Sequence, residues 1–389
     1  MNTEHAPLAP SSAPQWAFCS GSVPANLNAP DIECERTRAG TASHWVGGEA
    51  LNSWLKHRKQ GVTDCTNWIG ETAPNGVVVD EEMAEGAQQW VDDVLELSAT
   101  YGAPHGLAVE QRVKMPNIHP LNWGTLDTRG WFPETNTLYA WEYKFGHREV
   151  PVFENYQLID YVAGLIQEPM NAKTTVVLRV VQPFCYYARD QIREWKTSLG
   201  ELTPYFNRLT DQAHEAMTTP TLTAGLHCRD CAAINRCPTA RRAGYSVITY
   251  AGEAYDLETL RGSDLAVERD ILRVGLTLVK ARLEAVEDQI YASVKKGDHS
   301  SGLTVQSKEG RLGWDIPPGQ AIALGRQFGA DLSKPGAVTP LQAIKKIPKD
   351  LRPAFESVLR SSTSRPSSGL ELVKLEDSRT ARAFKPRSN

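Results

Sequence analysis

Between residues 107 and 145 the apolar residues stop recurring at three- and four-residue steps and begin to alternate. The segments 107–115 (LAVEQRVKM), 122–132 (NWGTLDTRGWF) and 137–145 (TLYAWEYKF) are aromatic and β-branched, and Pro133-Glu134-Thr135-Asn136 supplies a turn between the last two. A three-stranded antiparallel meander is the expected result, and a sheet of that kind must bury at least one face against something else. The flanking sequence offers helices. Ala42, Trp45, Val46, Ala50, Leu51, Trp54 and Leu55 predict a helix over 41–58, residues 61–76 suit a loop, and 80–101 suits a second helix opened by Asp80-Glu81-Glu82 at its positive end. After the meander, 153–168 returns to helical spacing, 174–188 (TTVVLRVVQPFCYYA) suits a buried strand, and 190–218 is expected to be helical throughout. This order predicts an α/β fold with a mixed central sheet flanked by helices.

The chain has 389 residues, 41% hydrophobic and 23% charged, which is enough to bury a sizeable core in two or more units. No stretch approaches the roughly 18 apolar residues of a membrane helix. The opening MNTEHAPLAPSSAP lacks the basic-then-apolar order of a signal peptide, so a cytoplasmic protein is expected. Net charge is −4, yet residues 341–389 hold 11 Lys and Arg against 5 Asp and Glu. Contact with nucleic acid must therefore be local.

The expected layout is an N-terminal arm over 1–30, a core over 31–240, an α-rich C-terminal region over 241–360, and a linker with a basic tail over 361–389. Within it, 255–296 suits a long charged helix or helical hairpin, 302–316 is strand-like, 338–360 is a Pro-interrupted helical stretch, and 361–369 (SSTSRPSSG) has linker composition. Lys345, Lys346, Lys349, Arg352 and Arg360 form a basic stretch that suits either phosphate contact or a solvated helix face.

Seven cysteines, an odd number, argue against a disulfide framework. Cys34, Cys65 and Cys185 are isolated. Cys228-x2-Cys231-x5-Cys237 is a compact run of three sulfurs, and a tetrahedral metal site needs a fourth ligand. Cys19, in the ordered-looking Trp16-Ala17-Phe18-Cys19 of the arm, is the first choice, and His227 is a substitute. Such a set suits Zn2+ or an iron-sulfur cluster.

Glu142 and Lys144 stand two apart on one strand and share a face, and Asp127 lies on the strand that pairs with it. Two carboxylates about 4 Å apart repel by roughly 4 kcal/mol at an effective dielectric near 20, so a cation between them is required. An exposed salt-bridge ladder is the plain alternative. Against it stand the glycine of Gly124-Thr125-Leu126-Asp127, which permits close backbone approach, and the apolar flanks of 142–144. Gln157 and Tyr161 lie one helical turn apart on a common face.

In order along the chain, Gly40-Thr41-x-x-His44, Gly124-Thr125-Leu126-Asp127, Glu142-Tyr143-Lys144 and Gln157-x-x-x-Tyr161 resemble the motifs of the PD-(D/E)XK nuclease superfamily. The likeness is to its RecB-like branch, which includes phage lambda-type exonucleases. Leu126 stands where the superfamily's name implies proline.

That resemblance implies a restriction-endonuclease-like core in which Asp127, Glu142 and His44 hold Mg2+ or Mn2+ and Lys144 assists the attacking water. Gln157 and Tyr161 would line or support the DNA path, and Glu110 would be either a further acidic member of the site or a partner for Arg112. Cys19 with Cys228, Cys231 and Cys237 resembles the iron-sulfur nucleases of the AddB and CRISPR-adaptation type, which implies a [4Fe-4S] cluster, with Zn2+ as the rival. The opening from Leu8 to Ala13 into Trp16 and Cys19 resembles phage and prophage RecB-like proteins. The implied activity is exonuclease action on linear double-stranded DNA in recombination or end processing, beside a phage annealing or single-strand-binding protein and in a homo-oligomer. An endonuclease, a catalytically silent DNA-binding scaffold and a four-cysteine zinc protein are the alternatives.

Overall fold

The computed structural model describes residues 6–27, 35–57, 61–101, 105–185, 190–251, 262–309, 313–334, 336–364, 367–374 and 378. Cys34, residues 255–261 of the expected long helix, and most of the basic tail lie outside them. The chain divides into two compact units, Met1–Arg282 and Leu283–Asn389.

In the first unit, helices α1 (Glu35–His57) and α2 (Glu81–Tyr101) precede strands β1 (His105–Lys114), β2 (Trp123–Phe132) and β3 (Thr137–Tyr143). Then come α3 (Tyr156–Leu165), β4 (Thr175–Val181), β5 (Ile192–Ser198), α4 (Leu199–Thr218) and α5 (Pro238–Ala251), and the unit ends within α6 (Gly262–Lys295). The five strands form one sheet in sequence order. β3 and β4 run parallel and every other neighbour pair is antiparallel, so the sheet is mixed as the element order predicts.

Every residue of β3 is buried. Leu138 and Ala140 pack with Leu178 and Val180 of β4 against Leu158, Ile159 and Val162 of α3. The alternate residues Tyr139, Trp141 and Tyr143 pack against Val46 and Leu51 of α1 and Trp90, Val91 and Val94 of α2. Alternation along the strand thus feeds two helical layers. Asn136, at φ 48°, closes the turn into β3, a left-handed conformation that asparagine tolerates.

The expected helix over 190–218 starts nine residues late. Residues 192–198 form β5, and the helix starts only at Leu199, where Ser198 Oγ accepts from the Glu201 amide and the Glu201 carboxylate accepts from the Ser198 amide. β5 is an edge strand, and its Arg, Glu and Lys residues, which suit an exposed sheet edge, mask the two-residue period.

The arm is part of the core. Trp16 is fully buried with Leu8, Ala13 and Ala17 in the layer that holds α3, and its indole N–H donates to the Ala9 carbonyl. Gln15 donates to the Asp230 carbonyl at 2.6 Å, and the Gly21 amide donates to the Thr221 carbonyl at 2.9 Å. The arm also reaches β2. A Cβ on Gly124 would lie 2.7 Å from Tyr161 Oη and 2.8 Å from Pro10 Cδ, so only glycine admits both neighbours.

A buried ionic network ties α2 to the sheet. Asp93 takes two hydrogen bonds from Arg179, at 2.8 and 2.6 Å, and a third from the Trp141 indole at 2.9 Å. Arg179 also pairs with Glu194 of β5 at 2.5 Å.

In the second unit, strand Leu303–Glu309 pairs antiparallel with Ser367–Lys374, and Gly313–Trp314 pairs with Thr363–Ser364. The linker expected over 361–369 is therefore corrected: its composition is that of a linker, but Thr363–Ser364 and residues 367–369 are strand. Helices Pro318–Gln327, Pro340–Lys346 and Arg352–Leu359 accompany a small core with Leu332, Ala343, Ile347 and Phe355. Part of the basic stretch is structural, since Arg352 donates to the Ile347 and Lys345 carbonyls and Lys346 to that of Asp331. Among the described residues no helix is long and apolar enough to cross a membrane.

Candidate metal centre

Three neighbouring strands deliver carboxylates to one end of the sheet. Val109 faces Thr128 and Gln111 faces Leu126, which sets Glu110 of β1 opposite Asp127 of β2. The β2–β3 pairing stops at Thr128 and Trp141. One step further, the Tyr143 amide donates instead to Asp127 Oδ2 at 2.6 Å, so the carboxylate stands in for a strand partner where the two strands part. Glu110 has φ 50°, a left-handed conformation unusual for a glutamate, and backbone strain of this kind concentrates at functional sites.

His44 approaches from α1. Its Nδ1 lies 3.5 Å from Glu110 Oε1 and 3.6 Å from Asp127 Oδ1. The ring is set edge-on to Tyr143 at 4.9 Å, and Trp90 stacks on Tyr143 at 5.3 Å. The Tyr143 hydroxyl donates to Ser43 Oγ, which donates to the Met83 carbonyl, both at 2.7 Å. The imidazole is thus held by neighbours that are themselves fixed. Thr41 of the same motif bonds back to the Thr37 carbonyl of its own helix.

Lys144 Nζ lies 2.5 Å from Glu142 Oε1, and Gln157 Nε2 donates to the same oxygen at 2.7 Å. Glu142 is 3% exposed, and its backbone strand ends where the Lys144 amide donates to the Val181 carbonyl. Tyr161 is buried and gives its hydroxyl to the Thr125 carbonyl at 2.5 Å. Gln157 and Tyr161 therefore brace Glu142 and β2 from α3.

Of the expected site residues, His44 and Asp127 are brought together with Glu110. Ligand atoms of these three all lie within 4.8 Å of one another, the one such group among the described residues. Glu142 stands beside them with Lys144. Glu110 is not the partner of Arg112, whose guanidinium lies over the Trp123 ring at 3.6 Å. The alternating pattern of β1 does not disclose the left-handed backbone at Glu110.

The electrostatics favour positive charge at this point. Burial, and next the Glu142 charge, raise the Asp127 carboxyl far above its ordinary value. Burial disfavours protonated His44, but the charge on Asp127 and the hydrogen bond and charge of Glu110 outweigh it and raise His44 to about 9. Lys144 is raised because Glu142 overcomes the cost of its burial. A proton on His44 thus supplies the positive charge that a divalent ion would bring. One imidazole nitrogen and two carboxylates form a donor set that suits Mn2+ or Mg2+.

Cys19, Cys228, Cys231 and Cys237 line a single cavity between the arm and the loops before α5. Backbone amides of Thr223, Gly225 and Ala240 donate to the sulfurs of Cys19, Cys228 and Cys237, each at 3.4 Å. Asn26 of the arm faces Cys231 Sγ at 3.6 Å and accepts from the Ala233 amide at 2.9 Å. His227 gives its Nε2 to the Thr223 carbonyl at 2.9 Å and stacks on Phe18. Burial, and then the neighbouring thiols, push Cys228 up to about 11, so metal capture here must release protons.

Four such thiolates suit either one tetrahedral zinc or the corners of a four-iron cluster. Cys65 and Cys185 are buried elsewhere.

A family model described as a protein of unknown function (DUF2800) matches residues 5–380. The chain belongs to the DUF2800 family. The match takes in the arm with Cys19, the sheet with His44, Glu110 and Asp127 at its end, the cysteine run and nearly all of the second unit.

Proposed function

We propose that this DUF2800 protein is a metal-dependent nuclease with a PD-(D/E)XK, RecB-like core that hydrolyses linear DNA from its ends. The observation that carries this reading is the convergence of His44, Glu110 and Asp127 within 4.8 Å, next to the Glu142–Lys144 pair at the parting ends of β2 and β3. A salt-bridge ladder on an open sheet face would not bury Asp127 and Glu142 to 6% and 3% exposure.

His44, Glu110 and Asp127 would hold Mg2+ or Mn2+. When bound, the cation supplies Lewis-acid polarisation of the phosphate. Lys144 keeps its proton, because Glu142 raises its pKa, and its ammonium donates to the attacking water or to a phosphate oxygen. Glu142 and Gln157 fix that ammonium in place. In the reaction the water oxygen bonds to phosphorus as the bond to the leaving sugar oxygen breaks. One proton of the water passes to solvent, and the leaving oxygen takes one.

End-labelled linear duplex and covalently closed circular DNA, each incubated with the protein and Mg2+, test the reading. Loss of linear DNA alone is expected, and loss of both would make the protein an endonuclease. No loss of either, with EDTA and Mg2+ samples alike, would leave a DNA-binding scaffold.

The second part of the proposal is a [4Fe-4S] cluster on Cys19, Cys228, Cys231 and Cys237 that staples the arm to the end of the core. Cys19 and Cys228 are 209 positions apart in sequence, so this closes a long loop. Anaerobically purified protein is expected to contain iron and acid-labile sulfide in equal amounts. Zinc without iron would overturn the cluster.

A further inference from the structure

Beyond the metal centre and the cysteines, one cleft of the first unit has an unusual lining. Arg236, Arg241, Arg242 and Arg282 surround it together with Asn235 and Tyr245. Residues 232–252 contain three arginines and no acidic residue, in a chain whose net charge is −4. Among the described residues no carboxylate lies within ion-pair distance of Arg241, Arg242 or Arg282. Arg282 is anchored by a hydrogen bond to the Asn235 carbonyl at 2.9 Å. Tyr245 is 57% exposed, with Arg241 5.6 Å above its ring.

We infer that this cleft binds the phosphodiester backbone of a single nucleic-acid strand, with Tyr245 as the face on which a base stacks. The inference rests on the nuclease reading only for the identity of the strand, DNA. Guanidiniums gathered in a concavity repel one another, and a ligand with repeated negative charge relieves them. Guanidinium forks match phosphate oxygens in pairs. A cationic groove beside an exposed aromatic ring is the arrangement by which single strands are held without sequence preference. The cleft lies next to Cys237, whose sulfur the Ala240 amide contacts, so the thiolate site fixes the start of the helix that carries Arg241 and Arg242.

The test is fluorescence anisotropy of labelled oligothymidylate with the full-length, anaerobically purified protein in EDTA, at several salt concentrations. Arg241→Gln with Arg242→Gln should weaken binding at least tenfold at low salt. It should also flatten the dependence of log affinity on log salt by about 1.4, since each phosphate contact contributes about 0.7 for single strands. Tyr245→Ala should weaken binding about five- to 150-fold. The paired Arg→Lys variant should keep the salt slope, which excludes misfolding as the cause.

Unchanged affinity and slope in the Gln variant, or no binding by wild type, would overturn the inference. So would displacement by polyglutamate as effective as by unlabelled DNA, which would point to an acidic peptide. Because binding is read in EDTA, it separates from hydrolysis. Protein that binds through the cleft and cuts nothing refutes the nuclease reading alone. Protein that degrades DNA while the Gln variant binds normally refutes the cleft alone.

Discussion

Alanine at position 93 should destabilise the first unit by about 3–5 kcal/mol, the usual cost of removing one partner of a buried ion pair. Asp93 is 4% exposed and accepts three hydrogen bonds, two from Arg179 and one from the Trp141 indole. Its loss strands a guanidinium that is itself largely enclosed and leaves an indole N–H without its acceptor in the core. Glu194 still pairs with Arg179, but from an exposed position where the attraction is screened. Urea unfolding should show a lower midpoint at an unchanged slope. Replacing Asp93 and Arg179 together by leucine should recover much of the loss, because the penalty comes from the unpaired charge. A midpoint unchanged in Asp93→Ala would mean that the network holds nothing together.

Lys144→Ala should lower the rate of DNA hydrolysis about 10²–10³-fold, the range found when one donor to a developing charge is removed. Lys144 is a third exposed, so the substitution opens no large cavity. Glu142 keeps its hydrogen bond from Gln157, and the fold should survive with a melting temperature close to that of wild type. Lys144→Arg keeps the charge but replaces a compact ammonium by a broad planar group, and should restore only part of the rate. A steady-state assay on linear duplex, with melting curves for each variant, separates this outcome from simple unfolding. Full activity in Lys144→Ala would remove the lysine from the mechanism.

The contrast between those two sites explains what the sequence discloses. Lys144, Glu142 and Asp127 are legible because a two-residue period fixes which side chains share a face, and because their spacing is set within one hairpin. The central strands are legible for the same reason: β3 and β4 are buried on both faces and carry little that obscures them. β5 escapes because an edge strand is dressed in charge, and IREWKTS followed by an amphipathic helix reads as one helix. The pairing of Asp93 with Arg179 escapes because it joins residues 86 apart through tertiary packing alone. Glu110 was an open alternative until its left-handed backbone placed it with His44 and away from Arg112. The Pro-, Ala- and Ser-rich composition of the arm conceals that Leu8, Ala13 and Trp16 are all core residues. Their partners lie on α3, more than 130 positions on.

The central claim is that His44, Glu110 and Asp127 form a site for a divalent cation. Titration of the full-length protein with Mn2+, followed by loss of the free-ion paramagnetic signal, tests it most directly. Wild type should bind one ion at this site, and Asp127→Asn and Glu110→Gln should each weaken binding at least tenfold. His44 is raised to about 9 without metal, and a ligating imidazole must be neutral. Affinity should therefore rise with pH from 7 towards 9, as the competing proton is lost. Binding that is unchanged in both variants and independent of pH would contradict the account.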